Sequence, residues 1–234
     1  MIRAVKKKGA LVNHELKLKR KDGKPVWILA NIRLTKNNEN DSILEGILVD
    51  NTKKKALEKE LRRDRKKFRS LAIHDNLTGL YNTRHLYKVL DDLIEENLIT
   101  KKPFSLIFMD MDNFKHVVDT YGHLNGSQAL KEVAITIKSC LRSPCFGVAY
   151  GGDEFVIVLP GFNKLQATEK AEQIRSQMKH TTYLTKAGHN VHLGASFGLA
   201  TFPEDTDNRT GLLALADQAM FRIKQTGKDS IGVT

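Results

Sequence analysis

Four carboxylates stand where two segments of the sequence could bring them together. "MDMDNF" (109–114) carries Asp110 and Asp112 at the end of a β-type run. "GVAYGGDEFVIVLPG" (147–161) carries Asp153 and Glu154 next to Gly151 and Gly152, between two further β-type runs. If a sheet aligns these places, three or four acids share one edge. Such a cluster repels itself unless a divalent cation of the Mg2+ type occupies it. Mg2+ takes carboxylate, carbonyl and phosphate oxygens, so a triphosphate would complete the site. Gly151 and Gly152 remove side chains where a nucleotide would press on the backbone. Lys224 and Lys228, read as one helical turn apart, would neutralise β and γ phosphates. Spacing alone leaves a second reading open, because acids at strand ends also occur in plain turns.

These residues need elements to position them. "FSLIFMDMD" (104–112) reads as a buried strand, and 146–159 as a hairpin. "GSQALKEVAITIKSCL" (126–141) places Leu130, Val133, Ala134, Ile137 and Leu141 on one helical face. A helix over 165–180, a strand through "VHLGASFGLATF" (191–202) and a last helix over 210–226, holding Asp217 and Lys224, complete the pattern. The expected fold is α/β (α+β) with a central, mostly antiparallel sheet.

The upstream part differs. "LVNHELKLKR" and "PVWILANIRLT" alternate apolar and polar residues around the turn "KDGK", and "SILEGILVD" supplies a third strand. Residues 53–74 form a charged helix, with Leu57, Leu61, Asp64, Phe68 and Leu71 on the a/d spacing of a short dimerising coiled coil; a solvated linker is the plainer reading.

Charge separates the two parts. Of the formal +11, residues 1–70 hold 21 Lys/Arg against 9 Asp/Glu, and residues 71–234 hold 17 against 18. The larger part is close to neutral, which argues against a DNA or RNA partner for it. Cys140 and Cys145 form no disulfide framework and suit a reducing cytoplasm. No apolar run reaches the roughly 20 residues of a membrane span, and the N-terminus lacks a signal-peptide core. The expectation is a cytoplasmic chain.

"YGGDEF" (150–155) resembles the signature of the GGDEF family, the diguanylate cyclases. "DNLTGLYNTRHL" (75–86), "MDMDNFKHVVDTYGH" (109–123), "SFGLA" (196–200) and "ADQAMFRIKQTGK" (216–228) support the resemblance in the family's order. It implies a fold like the polymerase palm and the class III nucleotidyl cyclases. It also implies two Mg2+ (or Mn2+) ions per site and a homodimer in which each subunit binds one GTP or ATP. Each 3′-hydroxyl then attacks the other nucleotide's α-phosphate, releasing two pyrophosphates and closing a 3′,5′-cyclic dinucleotide. Carried over, Asp110 and the Met111 carbonyl hold metal with Asp153 and Glu154, and one of the last two helps deprotonate the hydroxyl. The amides of Phe114 and Lys115, with Lys224 and Lys228, hold phosphates. Lys228 stands where the family has Arg, keeping the charge and losing the bidentate fork.

The strands before residue 50 and the closing "DNT" resemble the C-terminal half of a PAS sensor domain. The ligand-holding half is missing, so no sensor cofactor is expected, and the parent is read as tied to a larger sensor. The implied organisation is a PAS-like fragment over 1–52, a linker helix over 53–74 and a cyclase domain over 75–234.

Departures from the family pattern bear on substrate choice. The family's guanine-reading Asn and Asp are here Val118 and Ser127. A carboxylate accepts from guanine N1–H, whereas a hydroxyl donates or accepts and tolerates either purine. This resembles the promiscuous branch that makes cyclic GMP–AMP as well as cyclic di-GMP. The plainer readings are Ser127 as a helix N-cap and Val118 as core. Ala149 replaces an Arg, removing a cation near the phosphates. In the family's Arg-x-x-Asp product site, Arg142 remains but Cys145 replaces the acid, so strong product inhibition is not expected there. His189 and His192 fall on opposite strand faces and make no zinc pair. His123 reads as structural, and Asn82 and Arg84 as capping and packing residues. Three functions compete: a cyclic dinucleotide synthase with relaxed base choice, a conventional diguanylate cyclase, and a degenerate nucleotide-binding relay.

Overall fold

The computed structural model describes Val5, residues 9–36 and residues 42–234, with backbone only for 66–71. The chain forms two compact units, residues 1–69 and 70–234. None of the described helices is long and apolar enough to cross a membrane.

In the first unit, β1 (Ala10–Lys19), β2 (Pro25–Lys36) and β3 (Ser42–Asp50) form an antiparallel sheet in that order. The "KDGK" turn closes on Lys19↔Pro25 pairing, with Gly23 at φ +82 and its N–H donating to Arg20 O at 2.9 Å. Helix α1 (Thr52–Ile73) starts from a local lock. Asp50 Oδ1 accepts the Thr52 N–H at 2.9 Å, and Thr52 Oγ1 accepts the Trp27 N–H at 3.0 Å. Leu57 and Leu61 of the heptad seam are exposed. The Phe68 and Leu71 side chains lie outside the described residues.

The second unit is an α+β domain. Its helices are α2 (Thr83–Thr100), α3 (Phe114–Ser139), α4 (Lys164–His180) and α5 (Arg209–Thr226). Its strands are β4 (Phe104–Met111), β5 (Phe146–Gly151), β6 (Glu154–Pro160), β7 (Ala195–Phe202) and β8 (Ile231–Val233), in the order β5-β6-β4-β7-β8. Every neighbouring pair is antiparallel except β7–β8. The pleat sends alternate residues to opposite faces. Ile107, Met109, Phe155 and Ile157 pack with Val133, Ile137, Ala171 and Ile174 on the α3/α4 side. Leu106, Phe108, Val156 and Val158 pack with Leu86, Leu90, Leu212 and Ala216 on the α2/α5 side. Both faces are covered, so these strands read as unbroken apolar runs rather than alternating ones. Each such side chain stabilises the fold by about 1.5–3 kcal/mol relative to exposure.

Three elements differ from the sequence reading. The helix expected over 126–141 begins at Phe114 and ends at Ser139, interrupted at Gly122, whose φ 83, ψ 162 lies outside helical space. The strand expected over 191–202 begins at Ala195, because Val191 is instead bridged to Tyr183. Helix α5 ends at Thr226, so Lys228 is not on a helix.

Candidate active site

Asp110 and Glu154 are direct cross-strand partners, at the end of β4 and the start of β6. By the pleat, Asp110 follows Leu106 and Phe108, and Glu154 precedes Val156, on the α5 side of the sheet. Helix α5 lies close there because Gly198 has no side chain: a Cβ would run into the Ala216 carbonyl and the Met220 backbone. Gly232 plays the same part, since a Cβ would stand 2.5 Å from Ala219 O. So seated, α5 delivers the Lys224 ammonium to Asp110 Oδ1 as an ion pair. That oxygen is shielded from solvent, and among the described residues Lys224 is its sole partner.

Burial pushes the Asp110 carboxyl above its usual range; Lys224 pulls it back, and Asp153 and Asp112 push it further up. Burial also raises Glu154, followed by the charges of Asp110, Asp153 and Asp217, with Lys224 opposing. The acids therefore repel one another and take up protons more readily than free carboxyls do, as expected of a site completed by a cation.

The hairpin tip holds Gly152 at φ +57 with open space around its Cβ position, so its requirement is conformational. At Gly151 a Cβ would lie 3.9 Å from Glu154 Oε2, in otherwise open space. The Met111 N–H donates to the Asp153 carbonyl at 3.3 Å, joining the two acidic segments.

Asp112 does not join the other acids. Its carboxylate accepts Ser196 Oγ at 2.8 Å and the Asp229 N–H at 2.9 Å. Among the described residues no three His, Cys, Asp or Glu side chains gather as a metal cage. Mg2+ does not need one, since it is commonly held by one or two carboxylates plus substrate phosphates and water. Asp110 and Glu154 fit that demand.

The groups expected to hold phosphate come from separate elements. Asn113 precedes α3 in left-handed conformation (φ 55, ψ 27) without a side-chain cap bond. The Phe114 and Lys115 N–H groups have no acceptor among the described residues, as at any open helix start. Lys228 reaches the neighbouring Asn113 by another route than the expected helical turn. It sits beyond α5 at φ 63, with its N–H on Ile223 O at 3.0 Å and Nζ on Asn113 Oδ1 at 2.7 Å. Sequence reasoning gave Asn113 no role.

Val118 and Ser127 lie on either side of the Gly122 break. Val118 is partly buried against the core, and Gly126 admits it closely, since a Cβ there would stand 2.8 Å from Val118 Cγ2. The Ser127 hydroxyl makes no hydrogen bond among the described residues and lies within the helix beyond the break, so it is no N-cap. Asn82 does cap α2, accepting the His85 N–H at 3.0 Å. Ala149 is partly buried against the core. Arg142 and Cys145 lie in the α3–β5 connection, joined by Cys145 N–H to Arg142 O at 2.8 Å. Burial raises the Cys145 thiol. His189 rests on Tyr121 (ring centroids 4.8 Å apart), and His192 is exposed.

A cavity of about 490 Å³, lined by Tyr87, Phe108, Tyr150, Glu154, Arg209 and Asp217 among others, backs onto Glu154. Tyr150 there is pushed up to about 12, mainly by its hydrogen bond with Tyr87 and by burial. Its aromatic walls come from three separate elements, and no local motif announces it.

Fold and site together define an α+β domain in which Asp110, Glu154 and Lys224 meet at one end of a mostly antiparallel sheet. The family model described as "Diguanylate cyclase, GGDEF domain" matches residues 72–230. The bifunctional diguanylate cyclase/cyclic di-GMP phosphodiesterase MucR of Pseudomonas aeruginosa is 34% identical over 188 residues, 80% of this chain and 27% of that protein. The response regulator PleD of Caulobacter vibrioides is 31% identical over 162 residues, 69% of this chain and 36% of that protein. The solved coiled coil and GGDEF domain of DgcB from Caulobacter crescentus, in complex with c-di-GMP, aligns with a TM-score of 0.71 at 25% identity, covering 78% of this chain and 96% of that one. The chain belongs to the GGDEF-domain diguanylate cyclase family. It spans less than half the length of the curated relatives it matches.

Proposed function

We propose that this chain is a cyclic dinucleotide synthase that condenses two purine nucleoside triphosphates, with relaxed choice between GTP and ATP. The observation that carries the synthase reading is the Asp110–Glu154 pairing with Lys224 at the buried Asp110 oxygen. Asp110, Glu154 and the Met111 carbonyl would hold Mg2+ or Mn2+, with Asp153 beside them. Bound there, the ion would supply charge stabilisation for a triphosphate and lower the proton affinity of an attacking hydroxyl. The chain's own groups do the rest. The Phe114 and Lys115 amides, Lys224 and Lys228 hold and orient phosphates. Glu154, with its elevated proton affinity, or Asp153 accepts the hydroxyl proton. Two subunits face each other so that each 3′-hydroxyl meets the other's α-phosphate.

Relaxed base choice follows from Ser127 and Val118. An unengaged hydroxyl can turn to either purine, and Val118 offers no polar edge. Ala149 favours a second reading, a domain that binds nucleotide without turnover. The N-terminal strands support a PAS-like fragment over 1–52 and a linker helix over 53–74, tying a cytoplasmic cyclase over 75–234 to an upstream sensor. With Cys145 in place of an acid, cyclic di-GMP binding at Arg142 is weak. Incubation with Mg2+ and GTP, ATP or both, with products separated by mass, tests these readings. Cyclic GMP–AMP from the mixture supports relaxed choice, product from GTP alone restores the conventional cyclase, and no product favours the relay.

A further inference from the structure

We infer that Asn113 is a positioning residue for Lys228, and that the pair together does for the terminal phosphates what an arginine fork would do alone. This rests on the reading of residues 110–115 as a triphosphate site. A lysine is a point charge on a flexible stem, whereas a guanidinium brings a rigid pair of donors. At position 228 the stem starts from an unusual backbone. Gly227, Lys228 and Asp229 have φ 146, 63 and 42, a run that persists only where surrounding contacts hold it. Those contacts gather at Asp229. Asp112 accepts the Asp229 N–H at 2.9 Å, and Arg175 donates to the Asp229 carbonyl at 3.1 Å and meets its carboxylate at 3.2 Å.

The anchored loop aims the Lys228 ammonium at one oxygen, Asn113 Oδ1, at 2.7 Å. Asn113 adjoins the unaccepted Phe114 and Lys115 N–H groups. Asparagine suits this place twice over. It tolerates left-handed backbone, and its amide oxygen, which caps nothing, is free to orient a cation. An ammonium has three donors, so two remain for phosphate oxygens once Asn113 takes one.

Binding of inorganic tripolyphosphate in Mg2+ buffer, read by titration calorimetry on the whole chain, tests this alongside steady-state kinetics. Asn113→Gly keeps the left-handed backbone and removes only the amide. It should weaken tripolyphosphate binding roughly tenfold, the scale of one hydrogen bond to a charged group, with the loss appearing in KM rather than kcat. In a Lys228→Ala background the same change should have less than about a twofold effect, since the two act as one unit. Asn113→Gly with Lys228→Arg should recover binding, because the guanidinium needs no orienting partner. Equal losses with and without Lys228, or no loss in Asn113→Gly alone, overturn the inference. Tripolyphosphate binding that follows this pattern without dinucleotide product would sink the synthase reading alone, whereas no binding by the unmodified chain would sink both.

Discussion

Lys224 reaches from α5 to the shielded oxygen of Asp110, while the carboxylate of Glu154, paired with Asp110 across the strands, makes no hydrogen bond among the described residues. One acid is neutralised by a helix and the other waits. The division has measurable consequences.

Lys224→Met leaves a mostly buried carboxylate without its cation, so the domain should lose about 1–3 kcal/mol in Mg2+-free denaturant titrations. Adding Asp110→Asn should recover most of that stability, because both halves of the pair are then gone. Recovery of less than half would show that Lys224 stabilises through packing of its stem instead.

Glu154→Gln removes one of several mutually repelling charges. The variant should unfold with a free energy about 0.5–1 kcal/mol higher than the unmodified chain in chelator, and make no cyclic dinucleotide. A stability gain with activity intact would take Glu154 out of the chemistry.

Gly198→Ala puts a methyl group into the Ala216 backbone. Overpacking at such a helix–sheet contact costs about 1–3 kcal/mol. Displacing α5 should also carry Lys224 off Asp110, so product formation should fall further than stability alone explains.

Ser127→Asp restores a guanine-type acceptor at a position whose hydroxyl makes no internal bond, so stability should change by less than about 0.5 kcal/mol. The ratio of cyclic di-GMP to cyclic GMP–AMP from an equal GTP/ATP mixture should rise at least about tenfold. An unchanged ratio would mean the base is read elsewhere.

Acid stability should depend on Asp205. Burial works against its ionisation, but Lys164 (2.6 Å) and the Thr201 N–H (2.7 Å) outweigh it and hold the carboxyl below its ordinary 3.8. A lowered native value means the unfolded chain binds protons first as pH falls. The stabilisation is thus full above about pH 5 and lost as pH drops through 3.8 and below, by the same linkage. Asp205→Asn should flatten that acid limb in chemical denaturation between pH 2 and 5.

Much of the site was legible along the chain because it is local. "GGDEF" carries its own turn glycine, the run before Asp110 is apolar enough to be a buried strand, and the glycine of "YGH" breaks a helix where it stands. Adjacent carboxylates next to glycines can be read without knowing what lies across from them. Tertiary structure decided which acids work together. Asp110 and Asp112 look alike two residues apart, yet register sets Asp110 opposite Glu154, and the strand's end turns Asp112 to Ser196 and Asp229. It likewise took Lys228 off the helix that its spacing from Lys224 implied, since α5 stops at Thr226 and a loop held by Asp112 and Arg175 sends the ammonium to Asn113. Spacing along a chain measures distance only while one regular element lasts. Beyond its end, partners distant in sequence set the direction of each side chain.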